Sequence, residues 1–187
     1  MLYSAVDYSM SCPAVTVFES STISTTVSFK NCRSFFLIDK KKFVQTIDNI
    51  TGTFHQEFAS NEQRFDNISD WVMDILRDST FVFIEGYSFA SKGVVFNIGE
   101  NTGVLKHKLY KASLPFAMCP PASVKKFFTG HGNSKKTDMY ESFLKSENID
   151  IRKLWGADRL KPESPFADIV DSFAILKYGI TNLLKHA

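Results

Sequence analysis

Residues 81–119 read FVFIEGYSFASKGVVFNIGENTGVLKHKLYKASLPFAMC, and this stretch decides the fold. It opens with the apolar run Phe81 to Ile84 and closes with a second run, Pro115 to Cys119. Between the two runs, one set of residues recurs at helical spacing: Val95, Ile98, Thr102, Leu105 and Leu109. The pattern predicts a strand, a helix and a strand, and such a unit implies a parallel crossover.

The chain before this unit is typical of β-structure followed by one helix. Apolar runs end at Val6 and occupy residues 14–18 and 35–38, with turns rich in Ser, Thr, Cys or Pro between them. Three consecutive strands most simply form an antiparallel meander. An amphipathic helix follows, with Asn61 and Glu62 as its N-terminal cap and an apolar stripe formed by Ile68, Trp71, Val72, Ile75 and Leu76.

The chain after this unit is predicted to be helical. A short helix spans residues 123–128, a second helix ends near Glu147, and residues 148–164 form a connection. Ser164 is the expected cap of a final helix whose first position is Pro165. Together these elements predict one α/β domain over residues 1–187, with the ribonuclease-H-like architecture. We expect a mixed five-stranded sheet, with three antiparallel and then two parallel strands, flanked by helices.

The composition limits the class of protein. A chain of 187 residues that is 44% hydrophobic can bury a sizeable core without disulfides. Its three cysteines show no metal-binding or disulfide spacing, which favours a reducing, cytoplasmic setting. No signal peptide and no membrane-spanning run is evident, so we expect a soluble protein with no membrane partner. The net charge of +2 does not by itself indicate nucleic-acid binding.

Four acidic residues stand at positions that this fold would bring together. Asp7 ends the first apolar run and Glu85 ends the run that starts at Phe81, while Asp168 and Asp171 open the final helix. Open α/β sheets place their sites at the carboxyl ends of their strands. Carboxylate oxygens suit Mg²⁺, and two such ions can support phosphodiester hydrolysis. Two divalent cations would add four charges to the net +2 and bring the protein to about +6, which favours a polyanionic substrate.

Several stretches resemble the RuvC family of Holliday-junction resolvases, in particular its phage or viral members. They are, in family order, Phe83-Ile84-Glu85, Ile98-Gly99 with Gly103-Val104, Pro120 to Lys126, Thr129 to Lys136, and Asp168-Ile-Val-Asp171-Ser-Phe-Ala. The resemblance implies that Asp7, Glu85, Asp168 and Asp171 are catalytic ligands of two Mg²⁺ ions, with Mn²⁺ as a possible substitute. It also implies a homodimer that acts on four-way junctions, in the host cytoplasm if the protein is viral or from a phage. Many bacterial members carry His where this chain has Asp168.

A second group of residues is expected to contact DNA. Its members are basic, lie in a Gly-containing loop, or are aromatic residues that follow Glu85: Lys106, Lys108, Lys125, Lys126, Gly130, His131, Gly132, Asn133, Ser134, Lys135, Lys136, Tyr87 and Phe89. Lysines can grip phosphates, and glycines allow the backbone to approach them. The two aromatic residues can stack on unpaired bases or belong to the core. Gly99 and Gly103 imply close packing, either on the sheet or against a second copy of the chain.

Other interpretations stay open at this point. Asp66, Asp70, Asp74 and Asp78 form a row at steps of four residues, which is more typical of a solvated helix face than of a metal site. The four acids also suit a nuclease that acts on RNA–DNA hybrids, flaps or forks. A branched-DNA-binding module without catalysis is the alternative from another class.

Overall fold

The computed structural model of the protein describes residues 1–20, 27–87, 95–157 and 161–184. Across these residues, seven strands form one sheet. The strands are β1 Leu2–Asp7, β2 Ala14–Glu19, β3 Cys32–Ile38, β4 Thr46–Ile47, β5 Ile50–Phe54, β6 Phe81–Glu85 and β7 Phe116–Cys119. Their order across the sheet is β4-β5-β3-β2-β1-β6-β7.

The strand pairing confirms the predicted class and corrects the strand count. The first three strands form the antiparallel meander, and β1, β6 and β7 run parallel to one another. Two strands are present in addition to the predicted five. They are β5, which pairs parallel to β3, and the two-residue edge strand β4. Gly52 makes this pairing possible, because a Cβ there would collide with the Phe43 carbonyl oxygen and the Phe36 ring.

Helices cover both faces of the sheet. They are α1 Asn61–Leu76, α2 Val95–Lys111, α3 Pro121–Thr129, α4 Lys136–Glu147, α5 Ile151–Leu154 and α6 Phe166–Asn182. The one-turn helix α5 lies in the segment that was predicted to be a connection. Within the described ranges, no helix combines the length and apolar character that a membrane span requires.

Two predicted caps were wrong by one residue. Ser60 caps α1 by accepting a hydrogen bond from the Gln63 N–H at 3.3 Å, in place of Asn61 and Glu62. At α6, Pro165 rather than Ser164 occupies the cap position. The Ala167 N–H donates to the Glu163 carbonyl at 3.1 Å, so Ser164 belongs to a turn that precedes the helix.

Buried side chains fix helix α6 against the central strands of the sheet. It packs on β1 and β2, and its buried Phe173 makes edge-to-face contacts with Phe29 and Phe143 at centroid distances of 5.3 and 5.7 Å. Burying a phenylalanine of this kind contributes about 1.5–3 kcal/mol. Gly179 lets the helix approach closely, because a Cβ there would collide with the Phe83 ring. The first residues of α6 are therefore fixed beside the ends of the central strands.

Candidate active site

The four predicted acids converge at one edge of the sheet. Asp7 is the last residue of the central strand β1, and Glu85 is the last residue of its parallel neighbour β6. The residues just before them, Val6 and Ile84, are paired in the parallel register. Asp168 lies in the first turn of α6, and Asp171 follows three residues later. The strand ends and the helix start thus supply two acids each.

Three of these acids are arranged as a metal site requires. Asp7, Asp168 and Asp171 each offer a carboxylate oxygen, and these oxygens lie within 4.8 Å of one another. Asp7 and Asp168 are only 8% and 5% exposed. The buried Oδ2 atom of Asp168 has no hydrogen-bond partner among the described residues. A buried carboxylate oxygen without a donor is costly in the absence of a cation, so this donor set fits a hard divalent metal.

Burial, together with the crowding of negative charge, raises the pKa values of three of the four acids. Burial, and then the charges of the other three acids, hold the pKa of Asp7 well above its usual range. Burial and the charge of Glu85 raise the pKa of Asp171 to about 7. Burial also raises the pKa of Glu85, although a hydrogen bond with Asp7 counteracts this shift. Like charges that cannot all ionise together are typical of sites that bind cations.

One of the predicted DNA-contacting lysines contacts the acids, and a second is near enough for its charge to act on them. Lys136, the first residue of α4, places its Nζ 2.9 Å from Asp168 Oδ1. Burial opposes its positive charge, but the attraction to Asp168, Asp171 and Asp7 is stronger overall and raises the pKa of Lys136. The charge of Lys125, on α3, also acts on Glu85 and Asp171. A phosphate that reached the acids would therefore meet these lysines at the same place.

The predicted glycine loop links α3 to α4 and is held by its own hydrogen bonds. Gly130 takes the left-handed conformation that ends α3, with φ of 90°. The buried Ser134 hydroxyl donates to the His131 carbonyl at 2.8 Å and lies 2.6 Å from Thr129 Oγ1. Ser134 thus has an internal structural role. The exposed residues of the loop face an open cleft of about 550 Å³, which includes His131, Asn133 and Lys135.

Other predicted residues lie away from the acids or are engaged elsewhere. Lys108 forms ion pairs with Asp66 and Asp70, at 2.6 Å each, and so joins α2 to α1. The acidic row is therefore partly a structural contact and is not only a solvated face. The Lys106 ammonium lies 5.8 Å from the centroid of the half-exposed Tyr87 ring. The predicted contact Phe89 falls outside the described residues.

Two residues beside the site have no recognisable signal in the sequence. Arg64 of α1 and Asn101 of α2 line a cavity of about 400 Å³ whose wall also includes Asp7 and Glu85. Each is a single polar residue within an amphipathic helix, and such residues are common on solvated faces. The folded chain alone reveals their position next to the acids.

Comparisons with known proteins find similar structures but no similar sequence among family models and curated proteins. No family model and no curated protein matches the sequence. RuvC of Thermus thermophilus has a TM-score of 0.55 at 16% identity, with 99% of this chain and 97% of that chain covered. The complex of T. thermophilus RuvC with a Holliday-junction substrate has a TM-score of 0.59 at 16% identity, with 99% and 96% covered.

A viral protein shows the same similarity. The fowlpox virus resolvase, in a complex with substrate Holliday-junction DNA, has a TM-score of 0.55 at 16% identity, with 98% of this chain and 99% of that chain covered. These similarities extend over almost the whole chain at low identity. The protein therefore has the ribonuclease-H-like fold of the RuvC resolvases.

Proposed function

We propose that this protein is a divalent-metal-dependent endonuclease that resolves Holliday junctions or related branched DNA. The observation that carries the proposal is the cluster of Asp7, Asp168 and Asp171, with carboxylate oxygens within 4.8 Å of one another, beside Glu85 on the neighbouring strand. The fold that this chain shares with proteins solved on junction DNA supports the choice of substrate.

The four acids would hold two Mg²⁺ ions, for which Mn²⁺ could substitute. When bound, the metal pair supplies an activated water and stabilises the leaving oxygen of an in-line displacement. The chain itself positions the substrate. Lys125 and Lys136 lie at the acid cluster, where their ammonium groups can pair with the backbone phosphates of the strand to be cut.

The basic loop extends this phosphate-binding surface beyond the acids. His131, Asn133 and Lys135 line the open cleft next to α4, and Lys126 is exposed at the end of α3. Such contacts position a duplex arm without reading its sequence, so their contribution to affinity should fall with rising salt. Lys108 does not belong to this surface, because Asp66 and Asp70 already neutralise its charge.

We also propose that two copies of the chain associate through α2. Phe96 and Tyr110 are 85% and 76% exposed, and with Gly103 they recur every seven residues along one line of the helix. A Cβ built on Gly99 or Gly103 meets nothing within 4 Å in the described chain, so packing on the sheet does not explain these glycines. A second copy of α2 would cover them, and a two-fold pair would present two sites to opposing strands.

The dimer has a direct test in solution. Replacing Phe96 and Tyr110 together with Ser should turn a dimer into a monomer, as measured by light scattering after size-exclusion chromatography. A wild-type protein that is monomeric at micromolar concentration would contradict the proposal.

We also propose a cytoplasmic location. The buried cysteines Cys12, Cys32 and Cys119 form no disulfide, which fits a reducing compartment.

The activity is tested with a panel of labelled substrates in Mg²⁺. The panel holds a four-way junction, a fork, a flap and an RNA–DNA hybrid, with cuts mapped on every strand. We expect paired cuts in opposing strands of the junction, and a rate at least a hundredfold lower for Asp168→Asn. The exposed acid Asp78 provides the matched control Asp78→Asn, which should cut like wild type.

Each contrary outcome has a definite meaning. Equal junction cutting by wild type and Asp168→Asn would overturn the metal-site assignment. Preferred cutting of the hybrid, the flap or the fork would indicate a different nuclease. Tight junction binding without scission in Mg²⁺ or Mn²⁺ would indicate a non-catalytic binding module.

A further inference from the structure

A run of three lysines lies at the same edge of the sheet as the four acids. Strand β3 runs in the same direction as β1, because β2 is antiparallel to both, and Asp7, Ala14 and Phe36 are partners in one row across these strands. Neighbouring strands are about 4.8 Å apart, so β3 lies roughly 10 Å from β1. Just beyond the end of β3, the chain enters the lysine turn, which consists of Lys40, Lys41 and Lys42.

Aromatic contacts fix the lysine turn beside the start of α6. Residues Lys41–Phe43 form a single 3-10 turn. Phe43 is 3% exposed, and its ring meets the Phe166 ring edge to face at a centroid distance of 5.5 Å. Phe166 is the first residue of α6, and Asp168 follows two residues later. The lysine turn therefore packs against the helix that carries two of the acids.

The charge of the lysine turn is not balanced by any ion pair within the described ranges. All three lysines are exposed, and none of them pairs with a described acid. Lys108, Lys136 and Lys177, by contrast, each have an acid within 3.0 Å. Asp39 precedes the turn, so residues 39–42 keep a net charge of +2. Like charges that lie close together repel one another, and a polyanion relieves that repulsion.

The acids lie between the lysine turn and the basic residues of α3. In the sheet, β3 is on one side of β1, whereas β6 and β7 are on the other side. Lys125 and Lys126 belong to α3, which follows β7 directly. A DNA strand whose scissile phosphate lies at the acids therefore meets positive charge on both sides of the cut.

We propose that Lys40, Lys41 and Lys42 bind the phosphate backbone of a duplex arm, on the side of the cut opposite to α3. The inference rests on the proposed nuclease function and adds to it a second arm-binding surface. The charges of one DNA strand recur every ~3.4 Å along the duplex axis, so a distance of roughly 10 Å corresponds to about three phosphates from the cut. Such contacts hold an arm in place and read no sequence. A junction, with a duplex arm on each side of the cut, engages both surfaces, whereas a single-stranded flap engages one.

The test removes charge from the protein and from the DNA, separately and together. Junctions carry neutral methylphosphonate linkages at the second to fourth phosphates on one or the other side of the mapped cut, and kcat/KM is measured for each. The double variant Lys40→Gln, Lys41→Gln should cut the unmodified junction with a kcat/KM about tenfold lower than that of the wild type. It keeps Lys42, whose ammonium lies 4.8 Å from the Phe43 ring centroid, so the anchor of the turn is preserved.

The two sides of the cut should respond differently. Neutral linkages on the side of the lysine turn should lower the wild-type kcat/KM about tenfold and cause no further loss in the double variant. Neutral linkages on the other side should lower kcat/KM by the same factor in both proteins. Lys30 and Arg33, which are exposed near the start of β3, provide the matched control. The variant Lys30→Gln, Arg33→Gln loses the same charge and should behave like the wild type on every substrate.

The salt dependence of binding to the unmodified junction is a second readout. Each lost phosphate contact lowers the slope of log K against the logarithm of the salt concentration by about 0.9. The slope of Lys40→Gln, Lys41→Gln should therefore fall by about 2, while that of the control variant should not change.

The outcomes separate this surface from the proposed activity. A wild-type protein that cuts no branched DNA overturns the proposed function, and the salt dependence of junction binding then decides the surface on its own. A junction-cutting wild type whose salt slope equals that of Lys40→Gln, Lys41→Gln overturns the surface alone. Neutral linkages whose effect is the same in both proteins on both sides of the cut also overturn it, because the lysines would then contact no arm beside the cut.

Discussion

Replacing Asp171 with Asn should stabilise the metal-free protein and weaken the dependence of its stability on pH. Burial and the neighbouring charge of Glu85 raise the pKa of Asp171 from 3.8 to about 7. The folded protein therefore keeps a proton on this carboxyl up to neutral pH, whereas the unfolded chain loses it near pH ~4. Because the folded state binds more protons over this interval, its stability is highest at the acidic end and falls as the pH rises through about 7.

The separation between the two pKa values sets the size of the effect. One pKa unit corresponds to about 1.4 kcal/mol, so the shift of Asp171 amounts to about 4 kcal/mol of lost stability at pH 8. About 2.5 kcal/mol of this is lost between pH 5 and pH 8. For a chain of this length, that loss lowers Tm by roughly 5–10 °C. The raised pKa values of Asp7 and Glu85 act in the same direction.

The assay is urea unfolding in EDTA at pH 5, 6, 7 and 8, followed by circular dichroism. We expect the unfolding free energy of the wild type to fall across the series, and that of Asp171→Asn to fall less and to be higher at pH 8. The exposed-acid variant Asp78→Asn should follow the wild type. A wild-type protein whose stability is constant or rises over this range would refute the reasoning, as would an equal slope for wild type and Asp171→Asn.

Two further predictions concern single contacts. Lys136→Gln should tighten Mn²⁺ binding at least tenfold in isothermal titration calorimetry, because it removes a positive charge from the acid cluster, whereas Lys135→Gln should have little effect. Gly179→Ala should lower the unfolding free energy by about 1–3 kcal/mol, because its Cβ would collide with the Phe83 ring. The control is Gly99→Ala, made in the Phe96 and Tyr110 double-Ser variant so that the proposed dimer does not contribute. A Cβ at Gly99 meets no described atom within 4 Å, so stability should be unchanged or rise by up to about 1 kcal/mol; equal losses at the two glycines would contradict this account.

The sequence predicts those parts of the fold whose pattern is strong and local. The apolar runs that became β1, β2, β3, β6 and β7 were found, and so was the parallel crossover through α2. The run Ile50–Phe54 was missed, because it contains only two apolar residues with a Gly between them, and it is stabilised by pairing with β3. Its partner β4 has only two residues and exists through that pairing. Tertiary contacts, rather than local preference, decide such strands.

The sequence also indicates the acids, but it does not predict what faces them. Asp7 and Glu85 could be placed at strand ends from the pattern alone, whereas the approach of Asp168 depends on how α6 crosses the sheet. Lys136 and Lys108 are equivalent in sequence terms, since both are lysines on helices. The structure directs Lys136 to the acid cluster and Lys108 to α1. The acids that pair with these two lysines lie on other helices, and the periodicity of a sequence does not indicate which helices pack together.

The acid cluster is drawn from opposite ends of the chain, with Asp7 on the first strand and Asp168 and Asp171 on the last described helix. A ribosome that has translated β6 but not yet α6 carries a chain in which Asp7 and Glu85 exist without their helical partners. The full cluster, with its mutual repulsion and its capacity for cations, can form only after α6 has left the exit tunnel.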